Sequence, residues 1–227
     1  MGKARVQGRH AGLTRGHVLE AAVRLADRDG VASLSMRKLA AELGVEAMTL
    51  YHHVRNKQGL EDAIVEHVLA ESLRPPRAGA SWQEVVAAHA DELHRGLNRH
   101  PGAVILFATR PAVTPATLVV LESLLRVLRD AGFAPRTALH LIYAVASAVV
   151  GQHLAADGAA ATPPDAVLIA ADGLPVVAAA LADGPVTVES RIEVTVTALI
   201  AGFETILARD ENRPRGMDPP ARGTGLE

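Results

Sequence analysis

Residues 135–156 constrain the fold more than any other segment. Pro135 suits the first position of a helix, and the segment to Ala156 is apolar on nearly every face. Its longest nearly apolar run, Ala138–Val150, includes His140 and is too short to span a bilayer. A helix apolar all round must therefore be buried by protein, against more than one neighbouring layer. The rest of the chain supplies helices for those layers, because its apolar positions recur at helical spacing between capping residues. Thr14 caps a helix with Val18, Ala21, Ala22 and Leu25 inward, stopped at Asp29-Gly30. Ser35 caps a second with Met36, Leu39, Ala40 and Leu43 inward and Gly44 just past its end. A short third helix carries Met48, Leu50, Tyr51 and Val54, and Asn56 caps a fourth bearing Leu60, Ile64, Val65, Val68 and Leu69, ended by Pro75-Pro76. Ser81 then caps a helix with Trp82, Val85, Val86, His89, Leu93 and Leu97 on one stripe. A short helix near 101–108 follows, then one over about 114–131 with Leu118, Leu121, Leu125 and Leu128 inward.

After the long central helix, residues 157–173 are rich in Ala, Gly, Pro and Asp and read as a mobile connection, with some helix at 165–171 and a further short helix near 174–181. Residues 191–197 alternate like a strand, yet Ile192, Val196, Leu199, Phe203 and Ile206 continue at helical period and no partner strand exists elsewhere, so helix is expected to about Arg209. The expectation is an all-α chain: a flexible basic arm at 1–12, an N-terminal three-helix domain with a linking fourth helix at 13–73, a larger helical domain at 81–209, and a disordered tail at 210–227.

Composition narrows the class. Six aromatic residues in a chain that is nearly half apolar imply a core of Ala, Val, Leu and Ile. The absence of Cys excludes disulfides, thiolate zinc sites and a cysteine nucleophile. The basic, polar N-terminus lacks an apolar signal-peptide region, and a soluble cytoplasmic protein with no membrane partner is expected. The net charge of −2 hides an asymmetry: residues 1–60 hold ten Lys/Arg against five Asp/Glu, and the remainder thirteen against twenty. A small basic part on an acidic body fits one end meeting a polyanion.

Residues 35–54 have the requirements of a helix-turn-helix. Small Ala40 lets two helices approach, Gly44 supplies the left-handed turn residue, and Val45 fills the corner. With Leu50 and Val54 facing the core, Ala47, Met48, Thr49, His52 and His53 remain for base edges in a major groove, while Lys57 and the start of the fourth helix can meet phosphate. An ordinary αα-hairpin satisfies the same pattern without binding DNA.

The run Leu43-Gly44-Val45 through Thr49-Leu50-Tyr51-His52-His53-Val54-Arg55-Asn56-Lys57 resembles the signature of the tetracycline-repressor (TetR) family. The likeness continues in Ser81-Trp82-Gln83, Thr109-Arg110-Pro111, Ala131-Gly132-Phe133, Ala144-Val145 and Gly202-Phe203-Glu204, covering about 14–156 and 190–209. The resemblance implies a homodimeric repressor on a pseudo-palindromic double-stranded operator, released by a small organic effector. An activator, or a regulator without a small-molecule effector, is the alternative. Matched residue by residue, Arg37, Thr49, Tyr51, His53 and Lys57 fall on family positions that touch DNA, with Arg37 reading a guanine and Tyr51 and Lys57 holding phosphates. Ala47 and Met48 stand where the family pattern has Gln and Pro, so the operator should differ at that base pair. The resemblance also implies a four-helix dimer interface, here Val149, His153, Ile192, Val196, Leu199, Gly202 and Phe203.

The effector site departs further from the family. A metal-coordinating His falls on Leu106, its water-mediated Glu partner on Ala155, and two drug-binding amides on His89 and Leu124. Neither Leu nor Ala can ligate a hard cation, so no metal and no cofactor are expected. The expected pocket is Val86, His89, Leu93, Leu106, Thr109, Arg110, Leu124, Leu125 and Ser147, mostly apolar with a few polar handles. His89 reads either as a core histidine bonded to backbone or as a ligand contact. His140 and His153 read as interface or surface residues, and His89 and His94, five apart, share no helical face for a metal pair. No nucleophile–base–orienter set supports an enzyme.

Overall fold

The computed structural model describes residues 13–110, 114–159, 173–182, 184 and 186–211. The arm at 1–12, the segment at 165–171 and the tail beyond 211 lie outside the described residues. Ten helices are described: α1 (Arg15–Asp29), α2 (Met36–Leu43), α3 (Ala47–Leu50), α4 (Lys57–Ser72), α5 (Trp82–Arg99), α6 (Val104–Thr109), α7 (Pro115–Asp130), α8 (Pro135–Ala159), α9 (Pro175–Leu181) and α10 (Val188–Glu211). No strand occurs among the described residues, and the alternating stretch 191–197 is helix inside α10.

The caps read from the sequence are formed. The side chains of Thr14, Ser35, Asn56 and Ser81 accept from the backbone N–H groups of His17, Lys38, Gly59 and Glu84, and Glu84 reaches back to the Ser81 N–H at 2.8 Å to complete a capping box. Gly44, at φ 67°, closes α2: its N–H donates to the Ala41 carbonyl and that of Val45 to Ala40, the paired bonds of a Schellman end. Gly132, at φ 102°, closes α7 in the same way and turns Phe133 inward, where it meets Trp82 edge-on at 4.9 Å.

In the first domain α1 packs on α2 and α4, burying Val18, Leu25, Leu39, Leu50, Leu60 and Ile64. In the second, α8 is the central element and contacts α5, α6, α7 and α10, as an all-round apolar helix requires. By length and composition the whole of α8, unlike its shorter apolar run, is long enough to cross a membrane, a test that the core helix of a soluble protein also passes. The core surrounds only part of it, burying Ala138, Leu141, Val145 and Val149 while Tyr143 stays exposed.

The domains meet where α4 packs on α5 and α7, and two polar seams add to that contact. Asp27 of α1 accepts from the Gly102 N–H at 3.0 Å and pairs with His100 Nδ1 at 3.0 Å. Gly102 lies so close to α1 that a Cβ there would stand 2.2 Å from the Ala26 carbonyl oxygen. The second seam is an ion pair in which Arg110, just past α6, donates to Glu61 of α4.

Candidate functional site

α3 projects from the first domain as a short helix anchored by buried Leu50 and, just beyond it, Val54. Its outer side carries Met48, 71% exposed, and Tyr51, 44% exposed, with His52 also exposed and Ala47, Thr49 and His53 half-buried. Arg37, in the first turn of α2, is exposed, as is Lys57 at the start of α4. Of the eight residues expected at a nucleic-acid surface, Arg37, Met48, Tyr51, His52 and Lys57 are exposed, Thr49 and His53 are half-buried, and Ala47 packs against the core. His53 also edges a small cleft with Arg15, Arg55, Asn56 and Gly59. Lys57 Nζ lies 3.8 Å from Glu61 Oε1, one turn along α4.

In the second domain the ends of α4 and α6 and the facing sides of α5, α7 and α8 enclose a cavity of about 650 Å³. Of the nine residues expected there, His89, Leu93, Arg110, Leu124 and Ser147 line it. The other four do not. Val86 and Leu106 are buried behind the wall in the core, and the Thr109 hydroxyl donates to the Ile105 carbonyl at 2.9 Å on the outside of α6. Leu125 turns to the outer side of α7, beside Leu118 and Glu122. Helical period placed Val86 and Leu125 near the cavity, and the family resemblance placed Leu106 and Thr109 there; neither decides which flank of a helix looks inward. The reading missed Leu69 and Leu73, Phe107, Thr117, Ile142 and Tyr143. Tyr143 was legible, since it stands one turn before Ser147 and two before Gly151, a face too polar for the core.

His89 is 8% exposed and makes no hydrogen bond among the described residues, so it is not the backbone-bonded core histidine that the sequence also allowed. Burial pushes its imidazole down to about 4, leaving a neutral ring at the cavity wall. Arg110 is the one formally charged side chain of that wall among the described residues.

His94 and His153 depart from expectation. Both are buried, and His94 Nδ1 and His153 Nε2 are 3.0 Å apart between α5 and α8. The Asn98 amide nitrogen lies 3.0 Å from His94 Nε2, and Glu189 Oε1 lies 3.6 Å from the same ring nitrogen. His153 is thus buried within the protomer rather than at its surface. Among the other expected interface residues, Val149, Ile192 and Val196 are buried within the protomer, where α8 and α10 pack on each other. Leu199 and Phe203 are half-buried, and Gly202 is exposed with nothing within 4 Å of its Cβ position. The outward face of α10 is the next register around, with Val194, Ala198, Gly202 and Thr205.

Comparison with known proteins follows the same two parts. Residues 18–64 match the family described as bacterial regulatory proteins, tetR family, and residues 75–207 match the tetracyclin repressor-like C-terminal domain. An HTH-type transcriptional regulator of Saccharopolyspora erythraea is 40% identical over 139 residues, covering 61% of this chain and 59% of that protein. The class D tetracycline repressor of Escherichia coli is 38% identical over 144 residues, covering 62% of this chain and 65% of the repressor. These alignments span about three fifths of each curated relative. The TetR family protein ActR of Streptomyces coelicolor, solved with actinorhodin, superposes with a TM-score of 0.73 at 25% identity, covering 87% of this chain and 99% of that one. With matched regions that take in both the projecting short helix and the cavity-bearing domain, the chain belongs to the TetR family of regulatory proteins.

Proposed function

We propose that this protein is a ligand-responsive transcriptional repressor, a homodimer that binds a pseudo-palindromic operator and is released by a small organic effector. The observation that carries this reading is the double role of α4. Its first residue, Lys57, is exposed a few residues beyond the exposed Met48 and Tyr51 of the short helix, and its end supplies Leu69 and Leu73 to the cavity wall. One rigid 16-residue helix therefore touches both the DNA-facing surface and the effector cavity. A ligand moves such an equilibrium only by binding one arrangement better than the other, and a helix shared by both sites gives that difference a route. The tetracycline repressor and ActR relatives support a small-molecule effector.

The effector is a largely apolar organic molecule bound without a divalent cation, because Leu106 is sequestered in the core and Ala155 offers no oxygen. Calorimetry tests this directly. Tetracycline with magnesium should bind weakly or not at all, and tight magnesium-dependent binding would refute the assignment. The chain carries no catalytic role in this reading, and it works in the cytoplasm.

A further inference from the structure

The single charge that the described residues bring to the cavity wall is already engaged. Arg110 donates through Nη2 to Glu61 Oε2, and its Nη1 lies 3.9 Å from Asp62 Oδ1. Glu61 is only 7% exposed, so its carboxylate cannot be left to water. Its other oxygen faces Lys57 Nζ at 3.8 Å. Glu61 is therefore a shared acceptor between a guanidinium at the cavity wall and an ammonium at the DNA-facing surface. Around the cavity the remaining polar groups are neutral: the His89 ring and the Thr117, Tyr143 and Ser147 hydroxyls.

We infer that the effector is a lipophilic anion whose acidic group takes Arg110 from Glu61, and that Glu61, deprived of Arg110, draws Lys57 inward and away from DNA phosphate. This rests on the effector-cavity reading above and deepens it by naming the ligand's charge and the relay. A carboxylate or phenolate on an apolar skeleton replaces one charge-assisted pair by another at Arg110, so the guanidinium stays compensated. The buried Glu61 keeps a single cation, and that cation is the one expected to hold phosphate. Linkage is reciprocal: whatever strengthens the Glu61–Lys57 pair favours the anion, and loss of Lys57 disfavours it.

Two fluorescent probes of one skeleton test this without DNA. 1-Anilinonaphthalene-8-sulfonate carries an anion, and N-phenyl-1-naphthylamine is its neutral counterpart. The two should compete for one site on the wild type. Arg110→Gln should lower the ratio of sulfonate to neutral affinity about tenfold, the loss of one charged hydrogen bond. Glu61→Gln should raise that ratio, because Arg110 is then free, and its readout stands even if Arg110→Gln fails to fold. Lys57→Gln, outside the cavity, should lower the ratio about twofold through the relay. If the neutral probe does not bind, the cavity reading itself fails and takes this inference with it. If the neutral probe binds but the ratio is unmoved by Arg110→Gln or Glu61→Gln, the anion specificity is wrong and the cavity reading survives. An unmoved ratio in Lys57→Gln overturns the relay.

Discussion

His89 shows how much one side chain can report. Burial holds its imidazole at about 4, against about 6.5 in an unfolded chain. Between those values the unfolded state holds a proton that the folded state lacks. Its contribution is therefore complete above pH 6.5 and is lost as pH falls toward 4, by up to about 3 kcal/mol. His89→Gln should flatten the fall in thermal midpoint between pH 7 and pH 4, and an unchanged slope would show the ring to be solvated. On the opposite surface, Arg37→Ala should lose about 1–3 kcal/mol on the preferred operator and relax one base-pair position. Lys57→Ala should weaken all sequences alike and shrink the salt dependence, which competition assays at several salt concentrations distinguish. The exposure of Met48, Tyr51 and His52 was legible because a short helix with two inward anchors, Leu50 and Val54, leaves few side chains to choose from. The cavity was half legible. Its wall comes from five helices, and the inward flank of each depends on crossing angles that periodicity does not carry. Glu61 gave a signal that went unread: an acid on the Ile64–Val65–Val68 stripe must find a cation.

At the scale of elements, caps and stops did most of the specification. Thr14, Ser35, Asn56, Ser81, Gly44 and Gly132 end or begin helices where their chemistry says they should, and the alternating 191–197 segment became helix because its apolar period persists to Ile206. Less visible was which of two apolar faces on α8 and α10 turns inward. Val149, Ile192 and Val196 pack on their own chain, and no local rule distinguishes that from packing on a second copy. The seam between α1 and the turn at Pro101–Ala103 was also hidden, since it depends on the absence of a side chain. Gly102→Ala should clash with the α1 backbone and destabilise by about 1–3 kcal/mol. Gly59→Ala, whose Cβ would meet only Asn56 Oδ1 at an ordinary 3.5 Å, should instead be neutral or stabilising by up to about 1 kcal/mol. Thermal melts of the two variants check the contrast, and equal shifts would mean the Gly102 contact is not formed.

In the whole molecule α4 runs between the exposed short helix and the cavity, and two copies are proposed to act together on DNA. Gly202 offers a clean probe of the pairing, because a side chain there meets nothing within 4 Å in the lone protomer. Gly202→Leu should leave the protomer folded but overpack the contact between α10 helices, giving monomer by light scattering and weakened operator binding. A variant that remains dimeric would place the interface elsewhere. The central claim, sequence-specific DNA binding by a symmetric pair, is tested most directly by selecting bound duplexes from a randomised pool. The account predicts an enriched pseudo-palindrome with half-site centres about 34–36 Å apart, one turn of B-DNA. A pool that stays random, or that enriches a single unpaired half-site, would contradict it.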